Sequence, residues 1–110
     1  WHTEQQDGVF VAGYYNPPTN YMIGPGIAEL GELIARWREP DVKAVVLTGA
    51  VPDRYITHYS VEELVAMDGD REALTRAAHG LIYGYHTLLR SLAWLDKPIV
   101  VGMTGDTMGC

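Results

Sequence analysis

The sequence predicts an α/β fold on a largely parallel sheet, and three observations carry that prediction. Two short runs, Ala44-Val45-Val46-Leu47 and Ile99-Val100-Val101, are apolar at every position, as suits strands covered on both faces of a parallel sheet. Helix-periodic segments alternate with the strands, in the order strand, helix, strand, helices, strand, which is the rhythm of right-handed crossover units. Each run opens into a glycine-bearing loop, 49–60 or 104–110. Neighbouring parallel strands bring such loops to one crevice, the favoured ligand position in open α/β sheets.

The elements follow in order. Asp7-Gly8 reads as a turn, and Val9 to Tyr14 as the strand after it. Asn16-Pro17-Pro18-Thr19-Asn20 is a loop, because two prolines fit neither a ladder nor a helix interior. Gly26 to Arg38 predicts a helix, with Ile27, Leu30, Leu33, Ile34 and Trp37 in one apolar stripe. Pro40 ends it, and Glu39 before the proline is biased away from helix. Lys43 to Thr48 forms the first buried strand, followed after Gly49 by an irregular segment to Thr57.

Ser60-Val61-Glu62-Glu63 matches a capping box, in which Ser60 accepts from the Glu63 amide and the Glu63 carboxylate reaches back. A short helix to about Met67 follows. Asp68-Gly69-Asp70 breaks it, and Asp70 caps a longer helix to about Leu95. The stripe of that helix is Leu74, Ala78, Leu81, Ile82, Tyr85, Leu88, Leu89 and Leu92. Lys97-Pro98 stops it, and Ile99 to Met103 is the second buried strand. Trp37, Tyr83, Tyr85 and Trp94 read as core or subunit-interface residues.

Composition narrows the function. The 110 residues suit one small domain or part of a larger one. With 47% hydrophobic and 20% charged residues, the chain is globular rather than disordered. A net charge of −6 without any Lys/Arg cluster argues against nucleic acid, whose binding needs a basic patch. No apolar run approaches the ~20 residues of a membrane span. The single cysteine, Cys110, precludes an internal disulfide and suits a reducing compartment. Residues 1–7 lack the basic and apolar regions of a signal peptide. The absence of an initiator Met, and of any segment to cover the last strand, leads us to expect a partial chain.

Four segments then stand out in order: Asn16-Pro17-Pro18-Thr19-Asn20, Asp41 to Gly49, Tyr55 to Leu64, and Lys97 to Gly109. Together the chain resembles the crotonase superfamily, the enoyl-CoA hydratase/isomerase family. The resemblance implies a crotonase-like spiral of β-β-α units around a parallel-sheet core, of which residues 1–110 would be the N-terminal part of a single domain. It implies an acyl-CoA substrate whose thioester oxygen accepts from two backbone amides, so that the enolate is stabilised. Donors preorganised toward developing negative charge are usually the largest catalytic contribution. It implies coenzyme A as part of the substrate and no other cofactor, a homotrimer or hexamer, and a cytoplasmic location.

Residue by residue, the family's small-residue loop Ala-Gly-x-Asp-Leu corresponds to Thr57-His58-Tyr59-Ser60-Val61, with Ile56 before it. The first amide donor then falls on Tyr59. Thr57 and His58 replace a small residue and a glycine, and Ser60 replaces the Asp, so the loop departs from the family pattern. Residues 56–62, with Glu62 last, would flank the CoA, and Pro18 and Thr19 would meet its nucleotide end. Gly109 matches the first glycine of the family's glycine-rich turn and Cys110 the second, the other donor. The acid/base glutamates of family hydratases lie beyond that point, and none is assignable in this sequence.

Several residues carry two readings. His58 is a possible acid or base, but the simpler reading is a hydrogen bond to a nearby carbonyl that shapes the loop. An alternative enzyme on the same fold, a hydrolase or carbon–carbon lyase, would use His58 as its proton shuttle. Another alternative is a non-catalytic acyl-CoA-binding or structural relative. The Tyr59 hydroxyl reaches substrate or merely packs. Glu62 and Glu63 are neighbours on a helix and do not face each other, and Glu63 has a capping role. His79 and His86 are seven residues apart on one helix, roughly 10 Å along its axis, too far for joint metal ligation; no metal is expected. Gly105-Asp106-Thr107-Met108-Gly109 lacks the Lys-Ser/Thr ending of a P-loop. Cys110 has no identifiable base to make it a nucleophile.

Overall fold

The computed structural model describes residues 1–66 and 71–108, with the side chains at 71, 73, 74, 77, 78 and 81 excepted. The chain forms β1 (His2–Gln6), β2 (Val9–Tyr14), α1 (Gly24–Trp37), β3 (Ala44–Gly49), α2 (Val61–Ala66), α3 (Arg71–Ala93) and β4 (Ile99–Gly102). One four-stranded sheet has the order β1-β2-β3-β4. β1 and β2 are antiparallel, whereas β2, β3 and β4 run parallel. The α/β class and the parallel pairing of the two Val-rich runs are as the sequence predicts.

β1 is the element that pattern reading misses. Its five residues, His-Thr-Glu-Gln-Gln, are all exposed, so no apolar alternation marks them. Pairing comes instead from the turn: Gln6 opposes Val9, leaving Asp7 and Gly8 as a two-residue loop with φ of 52° and 86°. Asp-Gly is the preferred pair for such a type I′ hairpin, whose twist matches the flanking strands. Gln5 then ties β1 to the end of α1, because Asp41 and Arg36 bind both it and each other.

α1 begins two residues earlier than predicted, with Pro25 in its first turn, a position where a missing N–H costs nothing. Its buried residues include Leu30, Ile34 and Trp37. They pack on the sheet face that carries Phe10, Ala12, Val45 and Leu47, with Phe10 and Trp37 edge to face at 6.0 Å. α3 adds the half-buried Leu88 and Leu92, and Leu95 is buried beyond it. Lys97 closes the far end of α1: its Nζ donates to the Trp37 carbonyl at 2.6 Å and to that of Glu39. A cation that hydrogen-bonds last-turn carbonyls both satisfies them and complements the helix dipole.

Three expectations need correction. β3 is covered on one face only, with Val45 and Leu47 buried and Ala44, Val46 and Thr48 half-buried. β4 is an edge strand: Val100 is 60% and Val101 47% exposed, because no described residue lies beyond it in the sheet. Of the expected α3 stripe, Tyr85, Leu88 and Leu92 are half-buried while Ile82 and Leu89 are exposed. Of the aromatics read as core or interface residues, Trp37 is in the core, Tyr85 is half-buried, and Tyr83 and Trp94 are exposed, which leaves the interface reading for those two. The predicted Asp68-Gly69-Asp70 break with its Asp70 cap, the Met67 end, and the side chains of Leu74, Ala78 and Leu81 lie outside the described residues.

Candidate functional site

Parallel β2, β3 and β4 end on the same side of the sheet, at Tyr14, Gly49 and Gly102. The loops that leave those ends knit together there, as the topology requires. Among the described residues the buried polar side chains are Asn20, Thr57 and Ser60, and all three belong to this knot.

Asn20 is its centre. It is fully buried and adopts φ of 56°, a left-handed conformation that Asn tolerates better than most residues. Its Nδ2 donates to the carbonyls of Tyr14, at 3.1 Å, and Tyr55, and its Oδ1 accepts the Asn16 N–H at 2.8 Å. The end of β2, the Pro-rich loop and the loop after β3 are thereby joined through one amide. The Thr57 hydroxyl adds a bond to the Thr19 carbonyl at 2.6 Å, and the Thr57 N–H one to that of Asn20.

The loop after β4 runs beside the loop after β3. Asp106 N–H donates to Asp53 and Tyr55 N–H to Asp106; Met108 N–H donates to Thr57, and the Thr107 hydroxyl to Ile56. Two glycines permit this nesting. A Cβ on Gly49 would lie 1.9 Å from the Arg54 carbonyl oxygen, and one on Gly105 would lie 2.0 Å from that of Asp53. Close backbone approach, rather than phosphate binding, is what these two glycines serve.

Tyr59 sits in an extended stretch bridged to Met22. Met22 N–H donates to the His58 carbonyl, and Ser60 N–H donates to the Met22 carbonyl, both at 2.8 Å. The neighbours of Tyr59 therefore carry the bridge, and its own N–H and C=O face the opposite way, by the alternation of extended chain. Among the described residues the Tyr59 N–H has no hydrogen-bond partner.

The side chain of Tyr59 has a different task. Its hydroxyl donates to Glu63 Oε2 at 2.5 Å, and the same oxygen accepts the Gly24 N–H at 2.9 Å. Burial, then the hydrogen bond and charge of Glu63, push the hydroxyl up to about 12, so it remains a donor. Of its two readings, the structure favours packing. The capping box is correspondingly half formed: Ser60 Oγ accepts the Glu63 N–H at 3.3 Å, but the Glu63 carboxylate turns to α1 instead of reaching back.

His58 hydrogen-bonds the Tyr59 carbonyl through Nδ1 at 2.6 Å, and its ring stacks on Tyr21 with centroids 4.1 Å apart. The carbonyl expected from sequence is thus present. Glu62 Oε2 accepts from the Ser60 hydroxyl at 2.9 Å. Its carboxyl is held below the usual range by its own amide, then by that hydroxyl.

Of the residues singled out by sequence, Thr19, Ile56, Thr57, His58, Tyr59 and Ser60 gather at this knot. Pro18, Val61 and Glu62 are exposed at its rim. Gly109 and Cys110 lie outside the described residues. Tyr21 and Met22 escaped the sequence reading, and Asn20 entered it only as the end of the Pro-rich loop, although an Asn closing a Pro-Pro loop is a recognisable left-handed candidate. His79 and His86 are exposed on α3, and no group of three metal-ligating side chains occurs among the described residues. No helix among these residues is long and apolar enough to cross a membrane.

No protein-family model and no curated protein sequence matches the chain. Solved structures do. An enoyl-CoA hydratase from Bacillus anthracis aligns with a TM-score of 0.81 at 15% identity, over 94% of this chain and 39% of that one. DspI from Pseudomonas aeruginosa aligns with a TM-score of 0.79 at 18% identity, over 94% of this chain and 41% of its own. An enoyl-CoA hydratase/isomerase from Marinobacter aquaeolei gives 0.77 at 15%, over 91% and 39%. The chain thus spans about two-fifths of the length of the structures it resembles. Over that span it has the crotonase fold seen in the enoyl-CoA hydratase/isomerase structures.

Proposed function

We infer that these residues belong to an enzyme of the enoyl-CoA hydratase/isomerase type and supply the thioester-gripping part of its site. In this reading the Tyr59 N–H donates to the thioester oxygen and the amide of Cys110, after Gly109, is the second donor. Pro18 and Thr19 meet the nucleotide end of CoA, and residues 56–62 line its path. Enolate formation follows from the two donors, which bind an oxygen more tightly as it gains negative charge. The acid/base carboxylates of such an enzyme have no counterpart among the residues of this site. The reading includes a homotrimer or hexamer, with no nucleic-acid or membrane partner.

The observation that carries it is the Tyr59 N–H, which has no partner among the described residues, held between the His58 carbonyl and the Ser60 N–H, both bonded to Met22, with residues 106–108 alongside. An amide N–H fixed in this way is suited to donating to a ligand oxygen. The test is Tyr59→Pro in the full-length protein that carries this sequence, with thermal melting as a control for folding. The variant deletes the N–H and should lower turnover of but-2-enoyl-CoA by ~10²–10³-fold. A folded variant that turns over at the wild-type rate would exclude Tyr59 as a donor.

A further inference from the structure

We propose that His58 is the proton acceptor for the α-carbon of the bound acyl group, with Tyr21 as its positioning residue. The inference rests on the thioester reading above. It is distinct from it, because a thioester can be gripped by amides without any proton being moved by His58.

Three observations support it. The Tyr59 carbonyl only accepts, so the nitrogen that meets it at 2.6 Å, Nδ1, carries the proton, and Nε2 is left with its lone pair. Among the described residues Nε2 has no partner. The ring is also fixed in plane by its stack on Tyr21. A base oriented by one group and locked by another is the arrangement that proton transfer requires.

The third observation is direction. Because the bridge to Met22 uses the His58 carbonyl and the Ser60 N–H, the N–H and C=O of Tyr59 share the other side of the strand. The imidazole is bonded to that carbonyl and so lies on the side from which the Tyr59 amide is approached. An oxygen seated on the Tyr59 N–H would therefore bring its acyl group to the side of the strand that carries the ring.

The step balances without any other reactant. Nε2 takes a proton from the α-carbon, and the C–H electron pair becomes the carbon–carbon double bond of the enolate. The carbonyl π pair moves to oxygen, which the Tyr59 N–H stabilises. Return of a proton from Nε2 to carbon regenerates the thioester. In D2O the ring proton exchanges with solvent, and the acyl group acquires deuterium.

Butanoyl-CoA is the probe, since it has α-protons and no double bond. Its binding to the full-length protein is measured by calorimetry and its α-proton exchange in D2O by NMR. At butanoyl-CoA concentrations well above the Kd measured for each variant, His58→Gln and His58→Phe should exchange ~10²–10⁴-fold more slowly than wild type. The Phe variant keeps an aromatic ring against Tyr21, so the two replacements fail to fold for different reasons, if at all. Tyr21→Leu should slow exchange by up to ~10²-fold through misplacement of the ring, and Tyr21→Phe should restore it. Intact binding with exchange within threefold of wild type in either His58 variant would overturn the inference alone. Failure of the wild type to bind butanoyl-CoA would overturn it together with the thioester reading.

Discussion

Asn20 shows how much one side chain contributes to this molecule. It has no exposed surface, and its amide and main chain bond the backbone of Tyr14, Asn16, Tyr55 and Thr57. Substitution by Ala removes the side-chain bonds and strains a backbone at φ of 56°; orphaned buried groups cost about 1–3 kcal/mol each. We expect Asn20→Ala to lower the unfolding free energy by ~3 kcal/mol in urea titrations. Asn20→Gly should recover ~1 kcal/mol of that, the left-handed penalty alone. Equal losses in the two variants would show that the backbone conformation contributes nothing.

Tyr59 divides its work between main chain and side chain, and pH separates the two. Its folded-state value of about 12 lies above the ~10 of a free tyrosine. A raised value means stability that is complete below about pH 10 and is lost as pH climbs toward 12. Tyr59→Phe should therefore flatten the alkaline decline in melting temperature between those limits. A decline as steep as that of wild type would show that another group is responsible.

At the level of elements, β4 is a strand that the described residues leave partly uncovered. Its apolar run secures parallel pairing with β3, yet Val100, Val101 and the nearby Met103 and Met108 are exposed. An uncapped apolar edge invites pairing with another strand, and contiguous exposed apolar surface favours association. The 110-residue chain should consequently self-associate with rising concentration in sedimentation velocity. Val100→Lys, at the edge and already 60% exposed, should suppress that association at little cost to folding. Monomeric behaviour of the unmodified chain at 100 μM, a concentration in the range ~μM–mM where such exposed edges aggregate, would contradict this.

Other elements illustrate why some features were legible and others not. α1 declared itself because its stripe faces a sheet, so the period of 3.6 was imposed by packing. β1 was silent, because a strand exposed at every position carries no period at all. The capping box predicted one bond correctly and missed the other, since the Gly24 N–H, thirty-nine residues away, outcompeted the local amide for Glu63. Short-range motifs state which bonds are possible; they do not weigh distant competitors.

For the whole molecule, local pattern determined the α/β class, the parallel Val-rich strands and the meeting of the loops at one end of the sheet. Each follows from periodicity, chain direction and the handedness of crossovers, which are properties of neighbouring residues. The resemblance to the crotonase superfamily, not pattern, marked residues 56–60 as a place of interest. What tertiary structure alone decided is how that place is built: that Asn20 ties the end of β2 and the Pro-rich loop to the loop after β3, that Gly49 and Gly105 admit the 53–55 backbone, and that Tyr21 stacks on His58. The orientation of the Tyr59 N–H is of the same kind, being set by Met22, thirty-seven positions earlier. These are contacts between segments far apart in the chain, and they depend on which donors and acceptors remain once the sheet has formed.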